Sequence, residues 1–451
     1  MAQQSRSTQQ VTEKENVMQV LNETSLSSFP MEVLEHIFSF LHRDDLLQAM
    51  SVCTSWKSLI SSSPNLWRSQ TFILDCSLHV KKKKKVDMLF CTQNFGPHFQ
   101  TLSVRCRHPN MLKKGYCTKM ADQFHLFLTG LRSPQLISFK VYDLHFFFRG
   151  NIVTKQISSK LIQMFSRECH LKVFKMPTSR WPKTEGRAIL DTVFQNSRNT
   201  LETLNIAEYF YSYGWLPAVR DWFSTGLTSL TKLTKLSITI FYLTDELIVC
   251  LARVRRGQLA KLSLSAHSTF RIFHIEQDSW KCLLEACPNI KVSFKICVYG
   301  AKPHESLPAL FDSILPVTKL NIIIPHDSYS LASPVSEMGI VLEHVRTHYG
   351  PWLKFLILVM NNKKEESFDQ SLIKLVRDSP HLALVKALVS YYSEDTVKTI
   401  KRMVAKRRQP PLTNMDPQNK KVCTDSLVVE KASELEDPIG RPHVLQGAYQ
   451  Q

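Results

Sequence analysis

The sequence predicts an α/β protein in two unequal parts. A small all-helical module lies near the amino end, and an irregular horseshoe-like solenoid of alternating strands and helices follows. Three observations lead there. Between Leu26 and Trp67, large apolar residues recur at helical spacing in short runs. From Phe99 onward, an apolar-x-x-apolar-x-apolar unit returns about every 31 residues. Glycine is scarce, 13 in 451 residues, which disfavours a large antiparallel protein with many tight turns.

Taken in order, residues 1–24 are rich in Gln, Ser, Thr and Glu and read as a disordered tail. The helical module spans 25–69. Pro30 suits a first helical position, and Val33, Leu34, Ile37, Phe38 and Leu41 follow at helical spacing. Asp44 can cap a second helix carrying Leu46, Leu47 and Met50, and a third carries Cys53, Trp56, Leu59 and Ile60. So few residues cannot bury all these side chains among themselves, so part of the apolar surface should meet a partner. Residues 70–98 hold the run Lys81 to Lys85 and read as a solvated connector.

The repeats fill 99–404. Their first residues are Phe99, Leu136, Leu171, Leu201, Leu233, Leu259, Ile290, Val317, Leu353 and Leu382. The unit at Ile290 alternates strictly, like a plain strand. The apolar-x-x-apolar-x-apolar signature is that of a leucine-rich repeat, here long and degenerate. Beyond Val404, Lys406-Arg407-Arg408, Pro410-Pro411 and polar sequence make 405–451 a second disordered tail.

Charge divides the chain. The whole carries a net +18, yet residues 1–69 hold five basic and seven acidic side chains, so the basic field belongs to the second part. No apolar run approaches the length of a membrane-spanning helix, and Met1 to Gln10 has no signal-peptide core, so no membrane partner is expected. Eleven irregularly spaced cysteines without C-x-x-C fit the reducing cell interior, in cytoplasm or nucleus. Phosphate-cradling glycine loops and a nucleophile elbow are missing from the sequence.

The landmarks Phe29-Pro30-x-x-Val33-Leu34-x-x-Ile37-Phe38-x-Phe40-Leu41, Asp45-Leu46-Leu47, Val52-Cys53-x-x-Trp56-x-x-Leu59 and Leu66-Trp67 resemble an F-box in order and spacing. Phe29 stands where Leu is commoner. The repeats are similar to the leucine-rich-repeat substrate domains of many such proteins. The layout, with Asp245-Glu246-Leu247 after a strand and Cys287-Pro288-Asn289-Ile290 before one, resembles the F-box-only protein 39 group in particular. The resemblance implies docking on the small adaptor Skp1, which links to a cullin–RING scaffold, so that the chain selects substrates for a ubiquitin ligase without catalysing anything itself. It places the Skp1 contacts at Phe29, Pro30, Val33, Leu34, Ile37, Phe40, Leu41, Leu46, Leu47, Val52, Cys53 and Trp56.

Outward positions of the repeats include Arg105, Lys140, Lys175, Lys235, Lys261, Lys319 and Lys386. A basic face of this kind fits an acidic or phosphorylated protein substrate. The net charge also motivates an alternative, a nucleic-acid-associated protein or a Skp1-bound scaffold that degrades nothing, although no nucleic-acid-binding signature accompanies the lysines. The aromatic stretch from Tyr209 to Phe223 reads as core first and as an interface second. His344 and His348 could share a helix face, but no third ligand is in sight, and no metal or other cofactor is expected. Cys91, Cys106, His108 and Cys117 match no zinc spacing, and no cysteine has the setting of a ubiquitin-accepting thiol.

Overall fold

The structure is a computed structural model. It describes residues 29–75, 82–107, 114–132, 134–144, 152–167, 170–210, 217–267, 275–297, 314–324, 338–360, 368–389, 393–408 and 427–431. The tail expected over 1–24 lies outside them.

Four short helices come first: α1 (Met31–Ser39), α2 (Arg43–Ala49), α3 (Thr54–Ser62) and α4 (Pro64–Trp67). Pro30 is the N-cap of α1, one residue earlier than expected, with a φ of −52° that already suits a helix. Asp44 is not the cap of α2. His42 holds that position, and Asp44 and Asp45 sit in the first turn, where carboxylates favour the helix dipole. Cys53 caps α3, its Sγ accepting from the Trp56 N–H at 3.4 Å. Leu34 and Phe38 turn inward from α1, and Phe38 meets Trp56 edge to face at 5.0 Å between ring centres. Glu35 ties α1 to the start of α4, accepting from the Ser63 hydroxyl just before it and from Asn65 Nδ2 within it.

A parallel sheet follows, each strand bonded to the next in chain order. Its strands are β1 (Ser69–Asp75), β2 (Thr101–Arg107), β3 (Ser138–Tyr142), β4 (Val173–Lys175), β5 (Thr203–Ile206) and β6 (Lys235–Thr239). They continue with β7 (Lys261–His267), β8 (Lys291–Cys297), β9 (Val317–Ile323), β10 (Phe355–Met360) and β11 (Leu384–Val389). A short twelfth, β12 (Leu427–Lys431), pairs with β11.

Parallel neighbours need long crossovers, and here helices supply them. These are α5 (Lys82–Phe95), α6 (Lys114–Gly130), α7 (Ile152–Ser166), α8 (Lys183–Asn196), α9 (Pro217–Ser229), α10 (Asp245–Val254) and α11 (Gln277–Ala286). The later ones are α12 (Met338–Tyr349), α13 (Asp369–Asp378) and α14 (Glu394–Arg408). Through most of the chain each crossover helix packs on the next, so they form one layer over one face of the sheet. That is the outcome expected when successive crossovers share one hand. Strand residues alternate accordingly: Leu236 and Ile238, Leu262 and Leu264, Leu356 and Leu358 are buried under the helices, while their neighbours face out.

All ten expected repeat units contain a strand, the one at Ile290 included. Three boundaries differ from expectation. Residues 70–98 are no connector. They carry β1, with Phe72 and Leu74 buried between exposed Thr71 and Ile73, and α5, whose first turn takes up Lys82 to Lys85. The lysine run masked a short alternating strand just before it. Helix α14 runs on through Arg408, past the expected end at Val404, because nothing before Pro410 breaks it. Finally, β12 falls inside the segment expected to be disordered, where Leu427-Val428-Val429 satisfies the open edge of β11.

The module is continuous with the sheet. Trp67 is fully buried, stacks on Phe95 of α5 at 3.8 Å, and donates from Nε1 to the Ile60 carbonyl at 2.8 Å. The Arg43 guanidinium lies 4.5 Å over the Phe72 ring and donates to the Thr71 carbonyl at 3.1 Å. A single apolar cluster runs from Leu34 to Val404.

Candidate functional site

Two surfaces stand out, and the first is on the helical module. A helix of α1's length can bury one stripe in its own bundle. Leu34 and Phe38 occupy that stripe. The other side of α1 and its flanks leave Phe29, Met31, Val33, Ile37, Phe40 and Leu41 exposed, with Val52 beyond α2. Phe40 is 74% exposed and Val52 64%. So many large apolar groups together in water mark a surface that meets another molecule.

Of the twelve residues expected to contact an adaptor, Phe29, Pro30, Val33, Ile37, Phe40, Leu41, Val52 and Cys53 are exposed, and Leu47 and Trp56 are half-buried. Leu34 and Leu46 are corrections. Each is 2% exposed and belongs to the module's own core. Periodicity put Leu34 beside Val33 without saying which of the two faces the bundle.

The second surface is the sheet face opposite the helices. Arg105, Lys140, Lys175, Lys235, Lys261, Lys319 and Lys386 all lie on it, Lys140, Lys175 and Lys386 half-buried and the rest exposed. Register then does what spacing along the chain could not foresee. Lys235, Lys261 and Lys291 are direct partners on β6, β7 and β8, and Ser237, Ser263 and Ser293 form the next row on the same face. Ser293 Oγ donates to Ser263 Oγ at 2.8 Å. Lys140 and Lys175 are likewise paired across β3 and β4. Strands are about 4.8 Å apart, so like charges in register repel, and the arrangement costs the fold something. Burial first, then the charges of Lys140, Lys235 and Lys261, pull Lys175 below its ordinary value, so these four lysines feel one another. Lys291 escaped the sequence reading because its unit lacks the apolar-x-x-apolar signature.

Further along, the face changes character. Phe355 is 41% exposed on β10, and Ile357 and Val359 follow it outward. At the other end of the lysine rows, Lys295 reaches from β8 to Glu208 after β5, Nζ to Oε1 3.1 Å. Burial works against the Lys295 charge, but the Glu208 carboxylate outweighs it and holds the ammonium above its ordinary range. Glu208 adopts φ +56° and is 4% exposed, and its N–H donates to Thr239 Oγ1 at 2.8 Å.

Other expected groups resolve plainly. Tyr209, Phe210 and Phe223 are core, and Trp222 is half-buried with its Nε1 donating to Asp191, while Tyr211, Tyr213 and Trp215 lie outside the described residues. Burial pushes the Cys91 thiol up to about 12, which makes it a poor nucleophile. Cys106 is buried too, and His108 lies outside the described residues. The His344 and His348 rings stack at 5.6 Å, and among the described residues no group of three metal-ligating side chains assembles. Nor is any described helix long and apolar enough to cross a membrane.

Residues 26–73 match the F-box-like family. The match covers the four-helix module and runs into β1. The chain is therefore a helical F-box-like module joined to an α/β region built on a parallel sheet. F-box domains generally bind Skp1 and are typically adaptors rather than catalysts, and the module points to a general adaptor role of that type.

Proposed function

We propose that this chain is the substrate-recognition subunit of a Skp1–cullin–F-box ubiquitin ligase. The observation that carries the reading is the uncovered apolar stripe of α1, inside the segment that matches the F-box-like family. Skp1 would cover Phe29, Pro30, Val33, Ile37, Phe40, Leu41, Val52 and Cys53, with Leu47 and Trp56 at the margin. The α/β region is read as an irregular leucine-rich-repeat solenoid, a reading supported by strands at every repeat position and by their chain-order pairing.

Its open face would hold the client. The lysine rows favour an acidic or phosphorylated segment, and the serine row beneath them supplies neutral donors. Catalysis then belongs to the assembly. Holding client and charged ubiquitin carrier in one complex raises the local concentration of client lysines near the thioester.

The test is affinity purification of the full chain and of a chain with Ile37→Asp and Phe40→Asp, under blocked proteasome activity. Clients should be retained by both, with Skp1 only on the first and longer client lifetimes on the second. Equal Skp1 recovery would overturn the assignment. Lys235→Glu with Lys261→Glu should release acidic clients, and unchanged capture would remove the role of the basic face.

A further inference from the structure

A cavity of about 960 Å³ opens between the C-terminal parts of α6 and α7, beside the residues that lead into β2, β3 and β4. Among the described residues its charged lining is basic, Arg132, Lys160 and Arg167, with the His170 imidazole beside them. None of the four side chains forms an ion pair or hydrogen bond with another described residue. Leu128 and Met164 supply an apolar wall, and Gln100 and Gln163 line the same space with amides.

The helix ends explain only part of this. Two helix C-termini present roughly half a negative charge each, which attracts a cation and opposes an anion. Two arginines and a lysine carry three permanent positive charges near neutral pH, so the balance stays positive. Moreover, Lys160 lies within α7, not at its end. Arg132 is also held in place from behind. A Cβ added to Gly96, in the turn after α5, would lie 3.1 Å from both the backbone N and O of Arg132. Only a glycine allows that approach without displacement, and it fixes where the Arg132 side chain starts.

The volume falls within the range of small-molecule sites and exceeds what a lone inorganic ion fills. Two guanidiniums match the geometry of phosphate oxygens better than that of a compact point charge. We propose that this cavity binds a small organic phosphate, with the phosphate on Arg132, Arg167 and Lys160 and the organic body against Leu128 and Met164. The site is separate from the apolar stripe of α1 and from the lysine rows of the sheet, so it does not depend on either being an interface.

Titration calorimetry on the purified full chain, at about 0.15 M salt, tests it with adenosine monophosphate, inorganic pyrophosphate and an acidic peptide as probes. The nucleotide should saturate one site, pyrophosphate should compete with it, and the peptide should not. Arg132→Gln with Arg167→Gln should weaken nucleotide binding by at least about tenfold with the melting temperature held. If that double variant does not fold, Lys160→Met carries the test, with the same direction expected. Lys235→Gln on the sheet face should leave nucleotide affinity unchanged. No saturable nucleotide binding, equal binding to the cavity variants, or displacement of the nucleotide by the acidic peptide would each overturn the proposal.

Discussion

The uncovered stripe makes a prediction whose size follows from exposure. Phe40 is 74% and Ile37 40% exposed, so Phe40 is largely and Ile37 partly in water in the folded chain. An aromatic side chain offers roughly 150–250 Å² to bury, so covering the free part of Phe40 removes on the order of 150 Å². At about 25 cal/mol per Å² that is close to 4 kcal/mol. Ile37 adds about 1 kcal/mol by the same scale. Association entropy is common to wild type and variant, so the difference survives in the comparison. Replacing both by alanine should weaken Skp1 binding by a few kcal/mol, about 100- to 1000-fold. The same change should scarcely move the melting temperature, because these atoms leave water only when a partner arrives. Leu34→Ala should do the opposite. It is 2% exposed, and its loss should cost the fold about 2–5 kcal/mol. Titration with Skp1 beside thermal melts of both variants separates the cases. A Phe40→Ala, Ile37→Ala chain that melts normally and binds Skp1 within about threefold of wild type would refute the reasoning.

Further outcomes follow from particular contacts. Trp67→Ala removes the fully buried ring between module and sheet and should cost about 3–5 kcal/mol in denaturant titrations. A loss confined to the module, with the sheet unaffected, would contradict the continuous core. Gly226→Ala should destabilise although alanine favours helices, because its Cβ would fall 2.4 Å from the Phe194 ring. Overpacking of about 1–3 kcal/mol outweighs the propensity gain of about 1 kcal/mol. Lys175 is held below its ordinary value of 10.5, so its charge weakens the fold at neutral pH and the penalty vanishes as pH rises past that value. Lys235→Gln should raise the Lys175 value, read by lysine side-chain NMR, and no change would mean the rows share no field. Lys295 has the opposite sign. Its value is raised above 10.5, so its contribution is intact below that pH and lost at higher pH. The stability gap between wild type and Lys295→Met should therefore narrow only in strongly alkaline solution.

The strands at Leu171, Leu201, Leu233 and Leu259 were legible because a buried strand needs alternating apolar residues, and that pattern is local. Strand β1 was not, since Phe72 and Leu74 are only two apolar residues beside a conspicuous lysine run. The exposed stripe was recognised as a group. Leu34 and Leu46 were grouped with it because each sits next to a more exposed apolar residue, Val33 or Leu47, and spacing alone leaves open which of the two turns inward. The cavity at Arg132, Lys160, Arg167 and His170 had no sequence signal, since Lys160 comes from one helix and the other three from the segments that follow two different helices.

The amino-acid sequence by itself determined where the ten repeat strands lie, that the amino-terminal module cannot hide its apolar residues, and that the basic charge follows it. Each of these depends on neighbours within a turn or a strand. Tertiary structure alone decided that Lys235, Lys261 and Lys291 stand side by side, that Trp67 seals the module to the sheet, and that Arg132, Lys160 and Arg167 share one recess. Those contacts join residues separated by about 30 positions or lying on different repeats, and sheet register and helix packing set their distances, which no local pattern encodes.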